Sequence, residues 1–336
     1  MSLVEFDVEK PEVVDVLGTP IFVGDVASAA SWVIERALAG AGGYVCFCNV
    51  HLFVMARHDD EVCRALAGAA LAFPDGWPIA WLQRRLGYWS AARIAGPDLM
   101  ARVIEDGRGF GIRHFLLGSS EDVLRRLEER LARTFPGAEI AGRLTLPFYE
   151  AGDFSGTEEA ISEVRRASPD IVWLSLGCPK QELWMLRYGY ALLAPALVAG
   201  VGAAFDFHAG TKRRAPDWMQ RTGLEWLHRL LSEPRRLASR YARTNSEFLF
   251  LVGRELGRRS YVRRWRDQLG DGRAAAIAPG SLTVLEEKAG DSSHPQTAPV
   301  ALHNRARRRP PAPTSAASHS RYTIRKRESS RIAKKL

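Results

Sequence analysis

The chain has 336 residues, 46% of them hydrophobic and 25% charged, which is ample for one large core or two smaller ones. Its formal net charge of +9 is segregated: residues 1–210 hold 19 basic and 27 acidic side chains, residues 211–270 hold 15 and 6, and residues 271–336 hold 13 and 5. An acidic body followed by an Arg-rich element and a basic tail excludes a reading of the total as a uniformly basic, nucleic-acid-coating surface, and four cysteines without paired C-x-x-C spacing exclude a disulfide scaffold or a zinc module.

Val13 to Leu17 and Ile21 to Val23 read as a hairpin about a Gly18-Thr19-Pro20 turn. Helical spacing runs from Val26 to Ala39 and stops in the glycines at 40–43. Tyr44 to Cys48 is a short strand ending at Asn49. One helix is then expected over His51–Leu66, and a strand over Ala69–Phe73 ends at Pro74-Asp75-Gly76. The alternation continues, with strands expected at 113–117, 137–141, 170–175 and 196–201 and helices at 77–86, 97–106, 120–134, 157–167 and 180–193. Such alternation predicts an α/β, Rossmann-like fold with a mostly parallel sheet covered by helices on its faces.

Pro216 opens a short helix, Leu224 to Leu231 form another, and a longer helix starts near Glu233-Pro234. On the last of these, Leu237, Tyr241, Phe248 and Leu251 share one face, while Arg236, Arg240 and Arg243 share another. Past Gly270 the composition turns to Ala, Pro, Ser, Thr and Arg, too poor in large apolar residues to offset the entropy of ordering. The expected organisation is therefore an α/β core over 1–210, an Arg-rich helical appendage over 211–268 and a disordered basic tail over 269–336. No basic n-region with an apolar run opens the chain, so no secretory signal is expected. The longest nearly apolar stretch, 190–205, is interrupted by Pro195 and is shorter than the ~20 residues of a spanning helix.

Ligands of open α/β sheets collect beyond the carboxyl ends of the strands. Three such ends carry polar groups here: Asn49 with His51, Asp75, and the run Gly177-Cys178-Pro179-Lys180-Gln181-Glu182. From position alone Asp75 has two readings, as the N-cap of the next helix or as a catalytic carboxylate. His51 likewise reads either as a structural hydrogen-bonding residue or as part of the site. The turn before Lys180 suits an anion at a helix N-terminus, or is an ordinary turn with a solvated lysine. The arginines at 236, 240 and 243 are either a solvated face or phosphate forks. No Asp-x-Asp clamp, nucleophile elbow, zinc helix or Walker loop occurs, so no cofactor is expected and a divalent metal is left open.

Taken together, several segments resemble the WecG/TagA/CpsF glycosyltransferase family, also known as glycosyltransferase family 26. The resemblance is carried by Asn49-Val50-His51, Pro74-Asp75-Gly76-Trp77-Pro78, the run from Arg93 to Met100, Phe115 to Gly118, Leu176 to Trp184 and Gly200 to Asp206. It continues through Arg214-Ala215-Pro216, Leu224 to Leu230, Glu233-Pro234-Arg235-Arg236 and Arg240-Tyr241. These motifs lie in register from about residue 13 to 250. What the resemblance implies is an inverting enzyme that moves a sugar from a UDP-sugar to a polyprenyl-diphosphate-linked saccharide at the inner face of the membrane. It makes Asp75 the general base, puts Asn49, Arg93 and Gln181 in the donor and acceptor pocket, and matches Arg229, Arg236 and Arg240 to arginines that close over the site and hold diphosphate. Many members have Thr two residues before the asparagine, where this chain has Phe47. Its Asn-Val-His pattern is similar to a subgroup associated with exopolysaccharide clusters.

The expected localisation is cytoplasmic and peripheral, with residues 211–260 meeting an anionic membrane surface. No specific nucleic-acid partner is expected, and oligomeric state, a homo-oligomer included, is left open. Two rival readings stand beside the enzyme: a catalytically silent partner in a polysaccharide assembly, and a nonspecific polyanion binder acting through the tail.

Overall fold

A computed structural model describes residues 11–147, 149, 153–190 and 193–269, and among these it gives no account of the side chains of Arg236 and residues 258–269. The expected disordered tail, from 270 on, lies outside the described residues. The described residues fall into one unit up to Arg259 and the start of a second from Ser260, of which the helical backbone to Leu269 is described.

The chain opens with a hairpin of β1 (Val13–Val16) and β2 (Thr19–Phe22). Its turn is the two residues Leu17 and Gly18, both at positive φ, with the Gly18 N–H donating to Asp15 Oδ1 at 2.8 Å. Thr19 and Pro20, expected in the turn, belong to β2 instead. Pro20 is tolerated there because an isolated two-stranded ribbon asks little of its missing N–H. Helix α1 (Val26–Leu38) is started by a reciprocal capping box between Asp25 and Ser28.

Six parallel strands follow: β3 (Gly43–Cys48), β4 (Leu71–Pro74), β5 (Arg113–Gly118), β6 (Glu139–Leu144), β7 (Ile171–Ser175) and β8 (Leu197–Gly200), in the spatial order β4-β3-β8-β7-β5-β6. Between them run α2 (Val50–Met55), α3 (Asp60–Ala67), α4 (Trp77–Arg85), α5 (Gly96–Gly107), α6 (Glu121–Thr134), α7 (Thr157–Ala167) and α8 (Lys180–Tyr188). The single helix expected over 51–66 is two, because the Asp59 carboxylate takes the N–H groups of Glu61 and Val62 and starts a new helix. The strand expected at 137–141 begins two residues later, and the helix expected to reach 193 ends at Tyr188, capped by Gly189.

Because side chains alternate along a strand, every residue of β3 is buried, but on two different faces. Tyr44, Cys46 and Cys48 join a core with residues of α3, α4, α7 and α8, whereas Val45 and Phe47 join one with α1, α5 and α6. The result is a three-layer α/β/α body, as the alternation predicted. After β8 the chain winds into a short helix, α9 (Ala204–Ala209). Three further helices complete the described chain: α10 (Asp217–Arg221), α11 (Glu225–Ser232) and α12 (Pro234–Leu269). α12 delivers Phe248, Leu251 and Val252 into the first core, with Phe248 edge-on to Phe53 at 5.6 Å.

Candidate functional site

All six strands point the same way, so the ends of β4, β3, β8 and β7 form one continuous rim. Asp75 is the first residue past β4. Its N–H donates to Cys48 O at 3.0 Å, which ties the ends of β3 and β4 together. Gly76, at φ 119°, is the N-cap residue of α4 and offers no side-chain bond to it. The strongly positive φ suits glycine and turns the chain sharply after Asp75. The carboxylate is thus not spent on a cap.

Asn49 caps α2: its Oδ1 accepts from Leu52 N–H at 3.1 Å. That bond leaves the amide N–H groups to donate, and one of them serves the Asp75 carboxylate. Burial pushes the Asp75 carboxyl above the usual carboxylate range and the charge of Glu225 adds to this. The Arg93 and Arg229 guanidiniums and the Asn49 hydrogen bond pull the other way without cancelling it. Arg93 is delivered by the segment after α4, which is pinned to the same rim because Ile94 N–H donates to Pro74 O at 2.8 Å.

Arg93 is not a free cation. It pairs with Glu225 at the start of α11, and Arg214 reaches Glu225 Oε1 at 3.3 Å and Asp98 Oδ2 at 2.8 Å. Burial raises the Asp98 carboxyl, but the Arg214 hydrogen bonds and charge outweigh it and hold Asp98 below its ordinary value. The four charges alternate in sign and join the body, through Arg93 and Asp98, to the segment that carries Arg214 and α11.

A second basic group lies by α2. Burial, followed by the charges of Arg240 and Arg243 on α12, brings His51 down to about 4, so its ring is neutral at pH 7. The buried His51 Nδ1 has no hydrogen-bond partner. The charge of Arg240 also reaches Cys178 at the end of β7. Arg236 lies on the same helix, with its side chain outside the described set.

Gln181 and Lys180 are more occupied than their positions in the sequence suggest. Gln181 is buried between α8 and β8, where its Nε2 donates to Gly200 O at 2.7 Å and to Glu182 Oε1 at 2.9 Å; its Oε1 lacks a partner. Lys180 Nζ donates to Tyr149 O. Glu182 is enclosed beside Cys178, and burial raises its carboxyl to about 7. Phe47 packs against Phe73 in the α1–α5 core, at 5.6 Å between ring centroids.

The site thus gathers Asp75, Asn49, Arg93 and Arg229 around one carboxylate, and His51 with Arg240 around a neighbouring basic group. Sequence reasoning gave no individual role to Asp98, Arg214 or Glu225. All three lay inside recognised motifs, but spacing along a chain does not show which charges meet across more than a hundred residues. Among the described residues no group of three or more His, Cys, Asp or Glu side chains is placed to hold a metal ion, and no helix is long and apolar enough to cross a membrane.

Residues 14–261 match the family model described as the glycosyl transferase WecG/TagA/CpsF family. Among characterised proteins, the chain is 31% identical over 195 residues to an N-acetylglucosaminyldiphosphoundecaprenol N-acetyl-beta-D-mannosaminyltransferase of Bacillus spizizenii, covering 58% of this chain and 73% of that one. It is 29% identical over 193 residues to a protein of the same description from Bacillus subtilis, covering 57% and 73%.

Proposed function

The chain belongs to the WecG/TagA/CpsF family of glycosyltransferases, and from that premise we propose that it transfers a hexose unit from a UDP-sugar to a polyprenyl-diphosphate-linked saccharide with inversion, in exopolysaccharide or another cell-surface polysaccharide. The observation that carries this reading is Asp75: a carboxylate raised by burial, held by Asn49 and flanked by the Arg93 and Arg229 cations. A sugar hydroxyl is a poor nucleophile, and a carboxylate of raised pKa is a stronger base for it near neutral pH. Asp75 takes the hydroxyl proton as the acceptor oxygen bonds to the anomeric carbon. The bond from that carbon to the diphosphate breaks, and UDP leaves with the electron pair.

The departing diphosphate gathers negative charge, which fixed cations stabilise best in a site that need not reorganise. We assign that work to Arg229, Arg236 and Arg240, with no resident cofactor or metal, and place His51, Arg93, Lys180 and Gln181 in the substrate pocket. Neutral His51 is suited to hydrogen bonding rather than to charge. Relatives in Bacillus are named for an N-acetylglucosaminyl-diphosphoundecaprenol acceptor and an N-acetylmannosaminyl product; the same acceptor class is proposed here. Incubating the protein with a panel of UDP-sugars and a synthetic lipid-diphosphate N-acetylglucosamine acceptor, read by mass spectrometry, tests it. One donor should add the mass of a single sugar residue with release of UDP, and no product from any donor would overturn the reading.

The proposed acceptor is anchored in lipid, so we also propose a peripheral location at the inner face of the cytoplasmic membrane. Trp218, Leu231, Leu249 and Phe250 are exposed on α10, α11 and α12 among arginines. Each Lys or Arg near an anionic surface contributes about 1 kcal/mol. Leu249→Glu with Phe250→Glu should release the protein from anionic vesicles in a sedimentation assay, and undiminished binding would remove this part of the proposal.

A further inference from the structure

A cavity of about 310 Å³ lies along α4, the helix that follows Asp75, and of its lining only Arg93 has a part in the chemistry above. Its floor is α4, whose Trp77 and Trp81 stack with ring centroids 6.1 Å apart and planes at 25°. Gln220 and Arg221 of α10 close the opposite side, and Arg84 and Arg93 complete the wall. The α10–α11 turn is fitted to this floor: Gly223 is at φ 77°, and a Cβ there would come within 2.7 Å of Trp77 Cγ. No residue but glycine fits that turn unstrained, so the segment carrying Gln220 and Arg221 is held over the indoles.

The charge of the lining is unbalanced. Arg93 is answered by Glu225, and Asp98, also in the wall, by Arg214. Arg84 donates its Nε–H to the Ala91 carbonyl at 2.7 Å, which leaves its charge unneutralised, and Arg221 comes only within 3.9 Å of Asp217. Exposed indole carbon of Trp77 beside surplus guanidinium and amide donors is complementary to a pyranose ring bearing an anionic substituent: the indole carbon meets its C–H groups, while the donors meet its hydroxyls and its charge. The volume sits at the low end of the ~300–1,000 Å³ of small-molecule sites, enough for a sugar with its substituents and too small for a whole nucleotide sugar.

We infer that the cavity floored by Trp77 and Trp81 is a subsite for the acceptor saccharide, holding the pyranose attached to diphosphate. This rests on the glycosyl transfer proposed above. Direct displacement puts the attacking and leaving oxygens on opposite sides of the anomeric carbon. The cavity flanks β4, the edge strand that ends at Asp75, and shares Arg93 with it. The basic group of His51, Arg240 and Arg243 lies instead toward the ends of β3 and β7, where its cations suit the departing donor diphosphate.

The test uses Arg221→Ala, a change to an exposed side chain, with Trp81→Ala and Trp81→Phe as partners. Binding of soluble N-acetylglucosamine 1-diphosphate, of neutral methyl N-acetylglucosaminide and of UDP is measured by titration calorimetry. Arg221→Ala should weaken the sugar diphosphate alone by about tenfold. Trp81→Ala should weaken both sugars, Trp81→Phe should recover most of that loss, and UDP should bind all variants as it binds wild type. Weaker UDP binding in Arg221→Ala would make the cavity a nucleotide site and overturn the inference, as would unchanged sugar binding in the variants or none by wild type. Transfer by Arg221→Ala and Trp81→Ala at the wild-type acceptor KM sinks the subsite and leaves the transferase standing. Sugar binding lost as expected, in a protein that transfers nothing, does the reverse.

Discussion

The rim of the sheet and helix α11 bring charge to Asp75 by different physical means. At the rim the polar groups are set by short hydrogen bonds: Asp75 N–H donates to Cys48 O, Ile94 N–H donates to Pro74 O beside Arg93, and Asn49 Oδ1 accepts from Leu52 N–H. Those bonds are short-range and insensitive to salt, so they fix the base. The appendage helices are held by the Arg93–Glu225–Arg214–Asp98 network and by a few apolar anchors such as Phe248. Ion pairs of this kind act over longer distances and weaken as salt screens them. The body supplies a base whose geometry does not depend on the appendage, and the appendage supplies counter-charge whose strength does.

The largest test of that division is Asp75→Asn. The amide keeps the shape and the Asn49 contact but accepts no proton, so turnover should fall by roughly 10²–10⁴-fold with little change in substrate KM. Steady-state kinetics on folded protein checks this, and a turnover near wild type would mean that the base lies elsewhere. Next, Phe248→Ala removes an anchor buried against Phe53 and should cost about 3–5 kcal/mol in denaturant unfolding, at any salt concentration. Arg214→Ala breaks two partly buried pairs and should cost less, about 1–3 kcal/mol, with part of the loss already present in wild type at high salt. If the two variants respond to salt alike, the distinction between apolar anchor and charge network fails.

The rim was legible in the sequence for a reason. Strands buried on both faces read as apolar runs, and the polar residue that ends each run is where a parallel sheet exposes its ligand edge, so Asn49, Asp75 and the turn before Gln181 stood out from pattern alone. The break at Asp59 did not, because the apolar spacing of α2 and α3 is compatible with one helix and only the capping bond decides. Spacing also mistook Thr19-Pro20 for a turn, since the two-residue turn uses Leu17, an unusual residue at positive φ. In the appendage the helices were legible and their contacts were not. Arg214 and Asp98 are 116 residues apart, and Arg93 and Glu225 are 132 apart, separations at which charge pattern carries no pairing information.

The smallest expected effect is the most direct measure of how the appendage acts on the base. Asp75 must be ionised to accept a proton, so kcat/KM falls as pH drops through the pKa of its carboxyl in the free enzyme. Glu225 raises that pKa, while Arg93 and Arg229 lower it. Glu225→Gln removes the raising charge and also frees Arg93 from its partner, and the two changes act in the same direction. The acidic limb of the pH profile should therefore move to lower pH. Arg229→Ala removes a lowering charge, and the limb should move to higher pH. Both displacements should shrink as ionic strength rises. A double variant should return the limb toward its wild-type position. If neither single change moves it, the appendage charges do not act on Asp75 in the free enzyme, and the counter-charge they bring is felt only by bound diphosphate.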